Sequence, residues 1–237
     1  MSAPAVGAGE SDGAEAAVPA VAAGRRRIIV LRHGETTHNA AGIWQGQLDS
    51  QLSERGLAQA RAAGPALIAL GPSRIVSSDL GRAAVTARLV AEAGGIPLSL
   101  EPRFREIHAG QWQGLGSAEV ASRFPEEYAA VRRGEDVRRG GDGESMGEVL
   151  VRVGAALADV VGSMAPGECV IVSTHGAAAR AVVASLLGLD MALAWRILGG
   201  FGNCHWAELE EGRHGWRLLT WNVSAGLVAS ITGPPPP

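Results

Sequence analysis

The feature that most constrains this chain is a repeated change of hydrophobic rhythm. Short apolar runs of strand length alternate with longer stretches of helical length. Arg27–Leu31 reads as a buried strand. Ser53 is a candidate N-cap for a helix to about Leu70, with Gly71-Pro72 as its stop. Arg74–Ser77 reads as a second strand, Arg82–Ala93 as a helix closed by Gly94-Gly95, and Ile96–Leu100 as a third strand. Glu168–Ser173 is a fourth, followed by an Ala-rich helix through Leu187. His205–Leu209 and Trp216–Asn222 flank a Gly-rich turn and read as a hairpin. Such alternation calls for a mostly parallel sheet with helices on both faces. The expected fold is α/β, a three-layer αβα sandwich whose mostly parallel sheet has an antiparallel edge.

The stretch 104–160 breaks the rhythm. It holds helical pieces, a charged loop from Arg132 to Gly143, and Ser145-Met-Gly-Glu148, which fits a capping box. It is expected to be an insertion forming a lid or side wall. The 237 residues, 46% apolar, suffice for one sizeable core. One domain is therefore expected over 25–228, between a disordered tail at 1–24 and a Pro-rich disordered tail at 229–237.

The net charge of −3 advertises no basic face, so neither nucleic acid nor an anionic membrane is expected as a partner. The first positive charges, Arg25–Arg27, follow the Ala-rich start, unlike a secretory signal. No window holds ~18 consecutive apolar residues, so no membrane span is expected. Two cysteines without a C-x-x-C step make no disulfide framework, and a reducing cytoplasm is expected. All 21 basic residues are arginine. Codon bias in a GC-rich genome explains this simply, yet it excludes lysine chemistry, from Schiff bases to the P-loop lysine. It leaves anion binding to arginine's planar fork.

The chemistry-bearing residues sit at strand exits, where open α/β sheets gather ligands. Leu31-Arg32-His33-Gly34-Glu35-Thr36 follows the first strand, and Thr174-His175-Gly176 the fourth. Ser77-Ser78-Asp79-Leu80-Gly81-Arg82 follows the second, and Arg105-Glu106-Ile107-His108-Ala109-Gly110 lies just past the third. One such histidine alone is more often a hydrogen-bonded structural residue, and one such arginine a surface ion pair. Two histidines, two arginines and a glutamate at converging exits point instead to one anion-binding crevice. The first strand turns into Arg-His-Gly rather than G-x-G-x-x-G, which argues against a dinucleotide site. Cys169, His175, Cys204 and His205 match no zinc-finger spacing, so no metal is expected, and Cys169 reads as core. The arginines at 132, 133, 138 and 139 read as a solvated face.

LRHGETTHNAAGIWQGQLDSQLSERG (31–56), SSDLGRA (77–83), FREIHAGQWQG (104–114), GGDGES (140–145) and STHG (173–176) together resemble the histidine phosphatase, or phosphoglycerate mutase-like, superfamily. The resemblance spans about residues 27–223 and is closest in look to the phosphatase branch. It implies the phosphoglycerate mutase-like fold, no cofactor, a small phosphate ester as partner, and a homodimer as a common state. It also implies roles. His33 is the nucleophile that forms a phosphohistidine, and Glu106 the general acid. Arg32, Arg82 and Asn39 bind the phosphate, with His175, if protonated, as a third positive donor. Gln45 and Thr36 line the substrate side, and His108 is as readily an exposed loop residue as a contact. A mutase would use the same phosphohistidine, but the family's mutases clamp the substrate carboxylate with a Tyr and a Lys. This chain has no Lys and one Tyr, Tyr128. A non-catalytic member would have lost the nucleophile or the acid, and both are present.

Overall fold

The computed structural model describes residues 24–232, so the expectations for residues 1–23 and 233–237 lie outside the described residues. The chain starts with β1 (Arg27–Arg32), a short α1 (Thr37–Ala40), α2 (Glu54–Ile68), β2 (Arg74–Ser77), α3 (Gly81–Gly94) and β3 (Leu98–Leu100). Then come α4 (Ser117–Arg123), α5 (Pro125–Arg132), α6 (Met146–Gly162), β4 (Cys169–Thr174) and α7 (Gly176–Leu187). It closes with α8 (Met191–Ile197), β5 (Trp206–Gly212), β6 (Gly215–Val223) and α9 (Ala225–Thr232).

The local signals act as expected. The Ser53 hydroxyl accepts the Gly56 amide at 3.0 Å and starts α2. Ser145 and Glu148 form the capping box of α6. Gly95, at φ 62°, closes α3 in the left-handed conformation. Pro97 brings no N–H to the ladder, and β3 begins only at Leu98, two residues after the expected start.

The six strands lie in the order β3-β2-β4-β1-β5-β6. β1 to β4 are mutually parallel, while β5 runs antiparallel to both β1 and β6. Alternate side chains feed two cores, as a sheet covered on both faces requires. Ile28, Val30, Val170 and Val172 pack with residues of α6, α7 and α8. Ile29, Leu31, Ile75 and Ile171 pack with residues of α2 and α3. The architecture is the expected α/β sandwich with an antiparallel edge.

Two boundaries need correction. Val149, Val153, Ala156, Leu157 and Val160 of α6 are buried in the first core. The expected insertion therefore loses its last part: α6 covers the sheet, and only the segments before it stand aside. Those segments bury Ala109, Trp112 and Val120 beneath Trp44, Phe124 and Tyr128, a small third core. At the other end α9 reaches Thr232, so residues 229–232 are helical rather than tail. Among the described residues no single helix is long and apolar enough to cross a membrane.

The decisive placement is the β1–β4 register. Arg32 lies opposite Thr174, so the chain leaves both strands side by side at one sheet edge. His33 and His175 are the next residues on each strand.

Candidate active site

At that edge opens a cleft of about 400 Å³. Six of the eight expected site residues line it: Arg32, His33, Asn39, Gln45, Arg82 and Glu106. His175 is fully buried beside His33, with ring centroids 5.1 Å apart.

His33 is fixed through its backbone. Its N–H donates to Thr174 O at 3.0 Å, and its carbonyl accepts Asn203 Nδ2 at 3.1 Å and the Cys204 amide at 3.2 Å. Nδ1 lies 2.7 Å from Gly34 O. A carbonyl only accepts, so Nδ1 carries the proton and Nε2 keeps its lone pair. Burial, and then Arg32 and Arg82, push the imidazole well below its usual 6.5, leaving it neutral. The loop has room to turn here because two glycines cross. A Cβ on Gly34 would sit 2.5 Å from Gly56 O, and one on Gly56 would sit 2.0 Å from Glu35 O. The Gly34 amide then donates to Thr86 Oγ1 of α3 at 3.0 Å.

Two guanidinium groups, Arg82 buried and Arg32 half-buried, flank this imidazole. Arg82 is anchored by carbonyls, donating to Leu48 O at 2.8 Å and Gly46 O at 2.7 Å. Burial pushes its pKa down to about 10. Arg32 donates to Phe201 O, and burial lowers it too, against the pull of Glu106. Carbonyl anchors orient both forks without neutralising them. The Nε atoms of Arg32 and Arg82 and the Nδ1 of His175 are buried with no protein partner. Buried N–H groups are rarely left unpaired, and three around one imidazole mark a place for an oxyanion. Burial, Arg82, His33 and Arg32 push the His175 imidazole well below its usual 6.5, which favours the neutral form over the protonated donor. Its Nε2 shares a 2.8 Å hydrogen bond with Ser78 Oγ.

Glu106 hangs on the start of α7. Its Oε1 accepts the amides of Ile107 and Ala178, each at 3.0 Å, and Oε2 accepts that of Ala177 at 3.1 Å. An anion at a helix N-terminus meets both free N–H groups and the helix dipole. Its segment is pinned from α6, where Arg152 donates to the carbonyls of Arg103 (2.9 Å), Arg105 (2.7 Å) and Glu106 (2.9 Å). Glu144 holds Arg152 at 2.7 and 2.8 Å and also accepts the His108 amide at 2.8 Å. His108 is thus fixed by its backbone and does not line the cleft.

Asn39 Oδ1 accepts Thr36 N at 3.2 Å and Asn203 Nδ2 at 3.2 Å, while its own Nδ2 has no protein partner. Thr36, expected on the substrate side, does not line the cleft. It is fully buried, caps α1, and donates to Gln45 Oε1 at 2.9 Å. Sequence reasoning passed over Arg180 and Trp195, which line the cleft together. Arg180 is the one charged residue of α7, a signal that was available. Glu144 lies within the GGDGES motif, whereas Arg152 carried no comparable signal. Among the described residues no three His, Cys, Asp or Glu side chains are grouped to hold a metal ion.

The sequence pattern of the histidine phosphatase superfamily (branch 1) matches residues 28–224. The chain belongs to this superfamily and is a phosphatase enzyme. Among similar proteins is the glucosyl-3-phosphoglycerate phosphatase of Mycolicibacterium vanbaalenii, 38% identical over 224 residues, covering 87% of this chain and 98% of the relative. A solved mycobacterial glucosyl-3-phosphoglycerate phosphatase in complex with VO3 superposes with a TM-score of 0.77 at 38% identity, over 84% of this chain and 100% of the other. The probable phosphoglycerate mutase GpmB of Enterobacter sp. is 37% identical over 212 residues, covering 88% and 96%.

Proposed function

We propose that this phosphatase hydrolyses a small anionic phosphate monoester, glucosyl-3-phosphoglycerate or a closely related sugar or glycerate phosphate, through a phosphohistidine at His33. One observation carries the reading: three unpartnered buried nitrogens, Arg32 Nε, Arg82 Nε and His175 Nδ1, surround a neutral imidazole with a free Nε2 lone pair. In the first step Nε2 attacks phosphorus. The bond to the ester oxygen breaks, its electron pair passes to that oxygen, and Glu106 supplies the proton. In the second step the Glu106 carboxylate takes a proton from water, whose oxygen attacks phosphorus and releases inorganic phosphate and neutral His33. Arg32 and Arg82 hold the equatorial oxygens, where charge develops. His175 assists as a neutral donor. Ser78 Oγ accepts the Leu80 amide at 3.3 Å and lies 2.8 Å from His175 Nε2; with the hydroxyl as donor to Nε2, the imidazole proton sits on Nδ1. Asn39 Nδ2 and Gln45 complete the phosphate and leaving-group walls. With the charge supplied by arginines, no metal is required.

The curated phosphatase relatives support the substrate class. Tyr128, the chain's one tyrosine, packs at 6.2 Å from Trp112 in the third core and not on the cleft, which leaves a mutase-type clamp without its parts. The test is phosphate release from a panel of glucosyl-3-phosphoglycerate, mannosyl-3-phosphoglycerate, 3-phosphoglycerate and sugar phosphates, with and without EDTA. An enolase-coupled mutase assay runs beside it. Phosphate release, insensitive to EDTA and abolished in His33→Ala, is expected. A 2-phosphoglycerate rate above phosphate release on every ester would replace hydrolysis by mutase chemistry, and restoration by a divalent metal would end the metal-free reading.

A further inference from the structure

The phosphate-binding groups leave one cation of the cleft unexplained. Arg180 rises from α7 one turn beyond Gly176, and its Nη1 reaches back toward the Gly176 carbonyl at 3.4 Å. Gly176 marks the spot. A Cβ there would lie 3.6 Å from Arg32 Nε and 3.7 Å from Glu106 Oε2. Arg180 therefore lines the same cleft as the acid and feels its charge.

The guanidinium is also held ready. Nη2 donates to Gly199 O at 2.7 Å, and the plane lies over the Trp195 ring, 4.5 Å from its centroid. Both anchors fix orientation, and neither neutralises charge. No carboxylate is in ion-pairing distance of Arg180 among the described residues, although most other arginines have one. Its Nε is buried with no protein partner. Burial lowers its pKa most, Glu106 opposes that, and Arg32 adds to it, which sets Arg180 within the same field as the phosphate site.

The charges then sort by position. Arg32 and Arg82 are the pair placed to hold the two negative charges of a phosphate. Arg180 is a third positive charge with nothing to meet in that phosphate. Resting on the reading that this cleft hydrolyses a phosphate ester, we infer that Arg180 is the specificity-determining residue that binds a carboxylate on the leaving group, through its Nε edge. The favoured leaving groups are hydroxy acids whose carboxylate sits a carbon or two from the ester carbon. Esters of neutral alcohols gain nothing from Arg180.

The experiment compares 3-phosphoglycerate with sn-glycerol 3-phosphate, which share a skeleton and differ in carboxylate against hydroxymethyl. Each is measured as a competitive inhibitor of p-nitrophenyl phosphate hydrolysis, so binding is read whether or not the compound turns over. Arg180→Gln should weaken 3-phosphoglycerate about 10- to 100-fold, as loss of a charge-assisted pair does, and glycerol 3-phosphate by less than about 3-fold. Arg180→Lys, which keeps the charge and loses the fork, should fall between. Thermal melts of both variants report whether the Gly199 anchor matters for folding. Equal weakening of the two compounds would make Arg180 a structural brace, and unchanged constants would remove it from the site. Either result overturns the inference while p-nitrophenyl phosphate is still hydrolysed. A wild type that releases phosphate from no ester would instead overturn the phosphatase reading.

Discussion

Two buried histidines with depressed pKa values make this site sensitive to acid in a defined direction. His33 and His175 are both neutral when folded, and both regain an ordinary affinity for protons when unfolded. Below pH 6.5 the unfolded chain thus binds protons that the folded one refuses. Stability is full above that value and falls with pH toward the depressed folded pKa, by at most about 1.4 kcal/mol per pH unit for each histidine. Melting curves between pH 7.5 and 5 should show this slope, reduced in His33→Asn. A slope unchanged in that variant would mean His33 is not titrating as described. On the proposed mechanism, in which only neutral His33 attacks, the same depression places the acid limb of kcat/KM below pH 6.5. Glu106 is separable by leaving group. Glu106→Gln should slow alkyl phosphates about 100-fold or more and aryl phosphates much less, because a phenolate departs without a proton. Equal losses on both would take the acid role from Glu106. Arg82→Ala should slow both alike if, as proposed, it grips the group all esters share.

At the level of elements, the site depends on a glycine crossing. The loop after β1 and the first turn of α2 touch where Gly34 meets Gly56. Gly56→Ala would drive a methyl into Glu35 O, a backbone atom that cannot swing aside. A destabilisation of about 1–3 kcal/mol is expected, together with loss of turnover as His33 is displaced. Urea melts and phosphate release on the same preparation check it, and a variant that keeps wild-type activity would show the crossing to be slack. This crossing was invisible in the sequence, which marks glycines but not what passes beside them. The strands were legible because each is a short apolar run between breakers: β2 was placed to the residue, bounded by Gly71-Pro72 before and a polar turn after. The Ser145–Glu148 capping box was equally plain. α6 was merged with its neighbours because a charged loop precedes it and hid a stripe that belongs to the main core. The strand-exit pattern foretold His33, Arg32, Arg82, Glu106 and His175 meeting at one edge. Asn203 and Arg152 act through backbone carbonyls, contacts no residue type announces. Thr36 sits within the motif yet spends its hydroxyl on Asn39 and Gln45, which only the folded loop reveals.

Across the whole molecule, the site is stitched from distant parts of the chain. Neither neighbour of β1 is close in sequence: it lies between β4 (Cys169–Thr174) and β5 (Trp206–Gly212). Closing such long loops is slow, and the ladder rewards the chain only after both partners arrive. A ribosome adds residues from the amino end, so β1 emerges with both hydrogen-bonding edges bare and waits through most of synthesis for its mates. During that interval His33 has been made and has no phosphate cradle, because His175 and the Asn203 anchor do not yet exist. Pulse-labelled hydrogen exchange during refolding should show β1 amides gaining protection in the same phase as those of β5, not with α2 and α3, which pair locally. Early protection of β1 would contradict this order. In the cell the sheet order acts as a timer: an incomplete chain is catalytically silent, and its exposed central strand, a ready template for pairing with other chains, is the liability that accompanies the delay.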